Sequence, residues 1–374
     1  MKIYAGTLIW ILFIGIITRK INIELSDNRI GMRYTYLNAL IMMAYLILFI
    51  GLRSAGADTS AYIKGYEQLP TGSAAIGEAF LEEEGLFKAF GIAIKTYIST
   101  DFQPYLFLIS FISGAAVALA FKKATPYVTS SMILFVLCGY WSWMFNGCRQ
   151  FLAVSLAFLA TVYLADKKTK TGYVEYILII LILSGIHTSV LVLIPTYFIA
   201  QGEAFSKRTS IALIIAVFAV FFTSRFSSIL SSALEDTSYG SILSGTYYNS
   251  DDGSSPIRTL IYAVPLALAY FDRRNILETA PKVIQLSVNM SFLCVCVSLI
   301  ANVTSGIYMG RLAVYFSIYN LVLIPWLMHN SKIFADRQLL KSGLYVLYSA
   351  FFIYSNYIYS HIYYQSEFLG LTVG

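Results

Sequence analysis

Long apolar blocks alternate with short polar turns along most of the chain. A helix needs about 20 predominantly apolar residues to cross a bilayer, and blocks near this length recur about twelve times. We therefore predict an all-α fold, a polytopic integral membrane helix bundle with about twelve transmembrane helices in one transmembrane domain over residues 1–374. The predicted spans cover residues 4–18, 34–52, 104–121, 130–143, 150–165, 173–186, 188–200, 210–223, 257–271, 283–301, 307–328 and 343–359.

The composition agrees with this class. Hydrophobic residues make up 58% of the chain, charged residues only 12%, and the mean hydropathy is +0.69, which together exclude a water-soluble domain. The net charge of +6 does not indicate nucleic-acid binding, because most basic residues lie on short turns between spans. The first block follows Lys2 and ends in Arg19 and Lys20 without a signal-peptidase motif, so we expect a retained anchor.

Basic residues alternate between the two ends of the predicted spans. Seventeen of the 26 Lys and Arg residues lie on every second turn, and the positive-inside rule assigns that side to the cytoplasm. Both termini and the two longest polar segments, residues 54–103 and 224–256, then face outward. Apolar residues recur at helical spacing over 79–98, which is typical of a helix lying in the membrane interface.

Two outward arginines lie at predicted helix N-termini, where the helix dipole disfavours a cation and free N–H groups attract an anion. They are Arg149 and Arg258. Arg149 is the sharper case, because Asn146 and Gly147 predict a tight turn and Arg149 and Gln150 then open the next helix. A guanidinium beside a helix N-terminus is typical of phosphate binding.

The other outward arginines have different surroundings. Arg311 follows Gly310 about one turn inside its predicted span, where an unpaired charge costs a few kcal/mol unless it faces a polar cavity. Arg53 and Arg225 lie at helix C-termini, where the helix dipole favours a cation. A capping or headgroup-anchoring role therefore explains these two as well as ligand binding does.

Two residues are candidates for proton transfer. His187 lies at the outward apex of a short helical hairpin, where either an interhelical hydrogen bond or a catalytic base fits. Asp58 is the best carboxylate at the mouth of the second span. Less specific competitors are Glu82, Glu83 and Glu84, which a solvated helix face explains as well. The spacing of His and Cys predicts no metal site, and the chain has no nucleotide-binding motif, so we expect no cofactor.

Four separated motifs carry a resemblance to a known family. The first is the string R-x-x-G-x-D-x-x-x-Y-x-x-x-Y from Arg53 to Tyr66, followed by E-G-L-F at 84–87. The others are N-G-C-R-Q at 146–150, H-T-S at 187–189 with Pro195, and G-R at 310–311 with Tyr315. In this order they resemble the EpsG-like branch of the Wzy-type bacterial polysaccharide (O-antigen) polymerases, over the chain from the second span to Tyr315.

The resemblance implies a glycosyltransferase of the bacterial cytoplasmic (inner) membrane with its active site facing the periplasm. Such an enzyme transfers a glycan from an undecaprenyl pyrophosphate carrier to another lipid-linked repeat unit. Its implied partners are these repeat units, membrane lipids and a chain-length regulator protein, without nucleic acid. The implied site comprises Arg53, Arg149, Arg258, Arg311, Asn146, Gln150 and Tyr62 for pyrophosphate or substrate binding, with His187, slightly preferred to Asp58, as the base.

Two further functional classes fit the same pattern less well. A flippase or transporter of lipid-linked oligosaccharide would want charged residues near the membrane midplane, whereas here they collect at the outward ends. An O-antigen ligase or a membrane O-acetyltransferase would share the outward site and differ in its donor or acceptor.

Overall fold

The computed structural model describes residues 2–24, 29–167, 170–221, 255–304, 309–333, 336–356 and 363–373. The chain divides into two compact units, Met1–Leu191 with Gln338–Gly374, and Val192–Arg337. Residues 224–254 of the predicted outward loop, including Arg225, lie outside the described residues.

Helices account for most of the described chain, which agrees with the all-α prediction. The first unit contains α1 (Lys2–Glu24), α2 (Arg29–Gly51), α3 (Thr59–Glu67), α4 (Ser73–Ala79), α5 (Gly85–Tyr97), α6 (Phe102–Ala124), α7 (Val128–Leu137), α8 (Tyr140–Phe145), α9 (Cys148–Leu164), α10 (Lys170–Ser184), a 3₁₀ helix (Thr188–Val192), α19 (Arg337–Tyr354), and strands β1 (Tyr364–Ser366) and β2 (Leu371–Val373). The second unit contains α11 (Leu193–Ala200), α12 (Lys207–Phe221), α13 (Pro256–Phe271), α14 (Arg273–Thr279), α15 (Lys282–Val303), α16 (Met309–Leu312), α17 (Val314–Ser317) and α18 (Asn320–Asn330).

The long helix α6 forms the centre of the first unit and packs against α2 and α9. Small residues on α6 and α2 allow the close approach of these two helices. A Cβ on Gly114 would lie 2.5 Å from Ile47, and one on Gly51 would lie 3.0 Å from the Cα of Phe107. Close backbone approach through small residues is a common way for apolar helices to associate in membranes.

The chain segments that the predicted topology places outside contact one another at one end of the first unit. The backbone N–H of Phe87 donates to the carbonyl of Gly185 (3.0 Å), which joins the first outward segment to the apex after α10. The N–H of Ser54 donates to the carbonyl of Gln365 (2.8 Å), which joins the same segment to the C-terminal hairpin. Segments far apart in sequence therefore build one surface at this end of the first unit.

Residues 54–103 form three short helices where the pattern predicts a single interfacial helix over 79–98. The chain turns sharply between α4 and α5 at Glu84, which adopts a left-handed conformation (φ 55°). The next position requires glycine, because a Cβ on residue 85 would lie 2.1 Å from the carbonyl oxygen of Ala79. The turn divides the predicted helix and directs the Glu84 side chain inward, where it is partly buried.

The C-terminal hairpin of β1 and β2 covers the start of the first outward segment, an arrangement that no sequence pattern predicts. Ala55 bridges to Gln365 in antiparallel fashion, and the Tyr364 hydroxyl donates to the carbonyl of Phe49 (2.9 Å). Gly56 lies directly beneath, with φ +120°, where a Cβ would lie 2.3 Å from the carbonyl oxygen of Tyr363. The hairpin therefore requires glycine at this position of the first motif.

In the second unit, α15 runs through the centre and packs against α12, α13 and α18. The predicted span 307–328 is broken: the segments Met309–Ser317 and Asn320–Asn330 meet at an angle of 43°. Within the first unit, the predicted span 130–143 is likewise divided into α7 and α8, separated by Gly139 in a left-handed conformation (φ 78°).

The predicted count of about twelve spans is not confirmed. By length and composition, two helices of the described chain could each cross a membrane, Phe102–Ala124 and Lys282–Val303, and a third could if the bent pair counts as one span. Shorter apolar helices occupy most of the other predicted positions, among them Cys148–Leu164 and Pro256–Phe271. The structure thus supports an all-α membrane protein of several apolar helices.

Candidate functional site

Asp58 links the first motif to the turn before α9. It lies at the N-terminus of α3, and its Oδ2 accepts a hydrogen bond from the backbone N–H of Gly147 (3.2 Å). The side-chain amide of Asn146, with its nitrogen turned toward the carboxylate, donates to both Asp58 oxygens (2.5 and 3.1 Å). The predicted Asn146-Gly147 turn exists, with Gly147 in a left-handed conformation (φ 75°), and Asp58 holds it in place.

Arg53 is in the packed interior, and its assignment to substrate binding stays a prediction. Its side chain is 1% exposed and donates from Nε to the Thr59 hydroxyl (2.8 Å) and from Nη1 to the Ile50 carbonyl (2.6 Å). The guanidinium carbon lies 5.2 Å from the centre of the Phe145 ring. Burial lowers the pKa of Arg53 from its ordinary value. Through its hydrogen bonds to Thr59 and Ile50, Arg53 supports the loop that carries Asp58.

Arg149 lies on the first turn of α9, as predicted, and is more accessible. Its side chain is 40% exposed, and its guanidinium carbon lies 5.8 Å from the centre of the Phe87 ring. Its backbone N–H donates to the Tyr62 hydroxyl (3.2 Å). Burial raises the pKa of Tyr62, so this phenol stays protonated at neutral pH. The predicted anion site at the helix N-terminus is therefore partly filled by Tyr62 and Asp58.

Glu84, one of the three less specific competitors of Asp58, connects Arg149 to the turn after α10. Its Oε2 lies 2.7 Å from Nη1 of Arg149, and its side chain is only 14% exposed. Its Oε1 accepts from the backbone N–H of Thr188 (2.8 Å) and from the Thr188 hydroxyl (3.2 Å). The same oxygen lies 3.6 Å from Nδ1 of His187.

His187 contacts Ser189 of its own turn. The Ser189 backbone N–H donates to His187 Nδ1 (3.3 Å), and the Ser189 hydroxyl lies 2.9 Å from the same nitrogen. This N–H is satisfied when the neutral ring carries its proton on Nε2. Gln150, which is 3% exposed, donates to the Ser189 hydroxyl (3.4 Å), so its buried amide ties α9 to this turn.

A cavity of about 430 Å³ opens between α3, α5, α6 and α9 of the first unit. It combines charged side chains of both signs with aromatic rings, a surface suited to a polar ligand with hydroxyl groups. Asp58 is among the residues that line it and His187 is not. The lining residues are Asp58, Ala61, Tyr62, Gly65, Leu69, Glu83, Glu84, Phe87, Lys88, Tyr105 and Arg149.

The first unit thus brings together most of the predicted site residues, namely Asp58, Tyr62, Asn146, Arg149, Gln150 and His187. Arg258 and Arg311 belong to the second unit, where both side chains are exposed on α13 and α16. Their assignment to the site stays a prediction.

The sequence pattern did not predict the C-terminal hairpin, and it did not distinguish Glu84 from its neighbours Glu82 and Glu83. The available signal for Glu84 was its position directly before Gly85 in the E-G-L-F string, which marks it as the residue at the turn. The hairpin follows the last predicted span and contains only short strands, so its pattern carried no comparable signal.

These observations define the class: an all-α membrane protein with a charged cavity at one end of its first helical unit. The EpsG family model matches residues 36–368, and the chain belongs to the EpsG family. No curated protein and no solved structure matches the chain. Membership of this family indicates a function of the polysaccharide-polymerase type.

Proposed function

We propose that this protein is a Wzy-type polysaccharide polymerase, which transfers a glycan from an undecaprenyl pyrophosphate carrier to a lipid-linked repeat unit at the outer face of the bacterial cytoplasmic membrane. Family membership supports the class of function. The observation that carries the proposal is one cavity lined by Arg149, Asp58 and Tyr62, three residues of two separate motifs. A cation, a carboxylate and aromatic walls are the parts that such a transfer needs.

On the donor side, Arg149 would bind the pyrophosphate that leaves when the glycosidic bond breaks. Its planar guanidinium forms paired hydrogen bonds with phosphate oxygens, which stabilise the negative charge that develops on the leaving group. The donor is already activated by its diphosphate, so the proposal includes no cofactor. Arg258 and Arg311 stay additional candidates for this role.

On the acceptor side, Asp58 is our preferred base, in place of His187. Its carboxylate lines the cavity and is oriented by Asn146 and Gly147. A carboxylate offers about four lone-pair positions, so these contacts leave room for a sugar hydroxyl. General-base assistance of this kind contributes roughly a hundred- to ten-thousandfold.

The aromatic rings of Tyr62, Phe87 and Tyr105 line the same cavity and suit stacking against sugar rings. The proposal also includes an outward orientation, contact with membrane lipid and a chain-length regulator protein. The family resemblance implies these three features. The 17 basic residues on alternate turns support the orientation.

The test compares the source strain with a strain that lacks this gene. A polymerase mutant should still display glycan built from a single repeat unit, whereas a flippase mutant should display none, because its units stay inside. Lipid-linked oligosaccharide extracted from the deletion strain then serves as substrate for the purified protein in detergent. We expect a ladder of longer lipid-linked glycans, and an unchanged extract would contradict the proposal.

A further inference from the structure

Glu84 occupies a backbone conformation that is unfavourable for its side chain. Its φ of 55° places it in the left-handed region, which is unfavourable for residues other than glycine because the Cβ crowds the backbone. Glycine would serve the turn geometry better. The contacts of the Glu84 carboxylate help to offset this cost.

These contacts reach two other segments of the chain. Oε2 pairs with the Arg149 guanidinium at 2.7 Å, and Oε1 accepts two hydrogen bonds from Thr188, 104 residues further along. The two oxygens are therefore divided between α9 and the turn that carries His187. The contact with Thr188 is one that a neutral amide could also make, whereas the contact with Arg149 depends on charge.

The Glu84–Arg149 pair lies in the cavity wall rather than on an open surface. The Glu84 carboxylate is 14% exposed and the Arg149 side chain 40%, whereas in the Glu82–Lys88 pair the carboxylate is 53% exposed and Lys88 36%, so the difference lies in the carboxylates. Less contact with water weakens the screening of the Glu84–Arg149 pair, so it restricts Arg149 more than a surface ion pair would. The planar guanidinium needs a defined orientation to bind a phosphate by two hydrogen bonds.

We infer that Glu84 is a positioning residue of this site: it orients the Arg149 guanidinium toward the cavity and joins it to the Thr188 turn. The inference rests on the proposed function for the identity of the ligand, a lipid diphosphate. Glu84 acts through Arg149, so its removal should lower the rate of transfer more than the apparent affinity for the lipid-linked donor.

The first experiment measures polymer formation by purified Glu84→Gln on the deletion-strain extract. The amide can still accept from Thr188 but removes the charge opposite Arg149. We expect kcat to fall at least tenfold with KM changed less than threefold. Glu84→Gly, which relieves the left-handed strain, should lose at least as much activity while staying folded, and Glu82→Gln should retain parental kinetics. Parental kcat in Glu84→Gln would overturn the inference.

A second experiment is independent of the activity. The melting temperatures of Glu84→Gln, Arg149→Gln and the double variant in detergent form a double-mutant cycle. We expect the double variant to melt no lower than the less stable single variant, because each substitution removes the same pair. Fully additive losses would overturn the inference. If the parent protein makes no polymer, the proposed function fails and this cycle alone decides the role of Glu84.

Discussion

The Asp58 carboxylate accepts a hydrogen bond from the backbone N–H of Gly147, 89 residues further along the chain (3.2 Å). This contact joins two of the family-like motifs in one structure and fixes the start of α9. Asp58 therefore combines two tasks, since it orients the turn before Arg149 and also presents a carboxylate to the cavity.

Replacement of Arg149 should abolish most of the activity. Arg149→Ala should reduce polymer formation about a hundredfold, because charge-assisted hydrogen bonds contribute about 1.5–3 kcal/mol. Arg149→Lys keeps the charge but loses the planar fork, and it should also lose most of its activity. The glycan ladder of complemented deletion strains measures this. The control is Lys64→Ala, which removes an exposed cation from α3. A full-length ladder with Arg149→Ala at normal protein level would refute the role of Arg149.

Asp58 and His187 can be separated by two substitutions. Asp58→Asn should lower the transfer rate at least a hundredfold, because a neutral amide cannot accept the acceptor proton. His187→Ala should retain a larger share of the activity, since His187 does not line the cavity. Rates of both variants between pH 5 and 9, with thermal unfolding as a check of folding, measure the difference. An active Asp58→Asn beside an inactive, folded His187→Ala would return the base to His187.

The C-terminal hairpin should stabilise the loop that carries Asp58. Gln365→Pro removes the N–H that donates to the carbonyl of Ala55 (3.3 Å), so the melting temperature should fall by several degrees. Gln365→Val keeps this N–H and suits a strand, and it should melt near the parental temperature. Equal melting of the two variants would show that the backbone pairing contributes little.

Gly56 and Gly77 should respond differently to alanine. Gly56→Ala should destabilise the protein by about 1–3 kcal/mol or more, because φ is +120° and the new Cβ would meet the Tyr363 carbonyl at 2.3 Å. Gly77→Ala lies on α4 with no atom within 4 Å and should be neutral or stabilising by about 1 kcal/mol. Denaturation in detergent compares the two. A neutral Gly56→Ala would contradict the packing of the hairpin on this loop.

The orientation can be tested with single cysteines. In a Cys138→Ser background, a cysteine at the exposed Ser73 should react with an impermeant thiol reagent added outside the cytoplasmic membrane. A cysteine at the exposed Asp166 should react only after lysis, because it lies beside the basic turn assigned to the cytoplasm. The reverse pattern would overturn both the orientation and the outward site.

Much of the helical architecture could be predicted from local sequence. The apolar blocks correspond to α2, α6, α9, α13 and α15, because the preference for an apolar helix depends on the composition of one continuous segment. The Asn146-Gly147 turn and the place of Arg149 on the first turn of α9 were predicted for the same reason: turn chemistry is local.

The tertiary structure decided which predicted residues meet. Arg53 is buried, whereas Arg149 is 40% exposed. No local sequence pattern separates these two arginines. The role of Glu84 depends on Thr188, 104 residues away, and the hairpin at Gln365 depends on Ala55. Such pairings arise from helix packing and chain reversal, so they are set by the whole first unit rather than by any one segment.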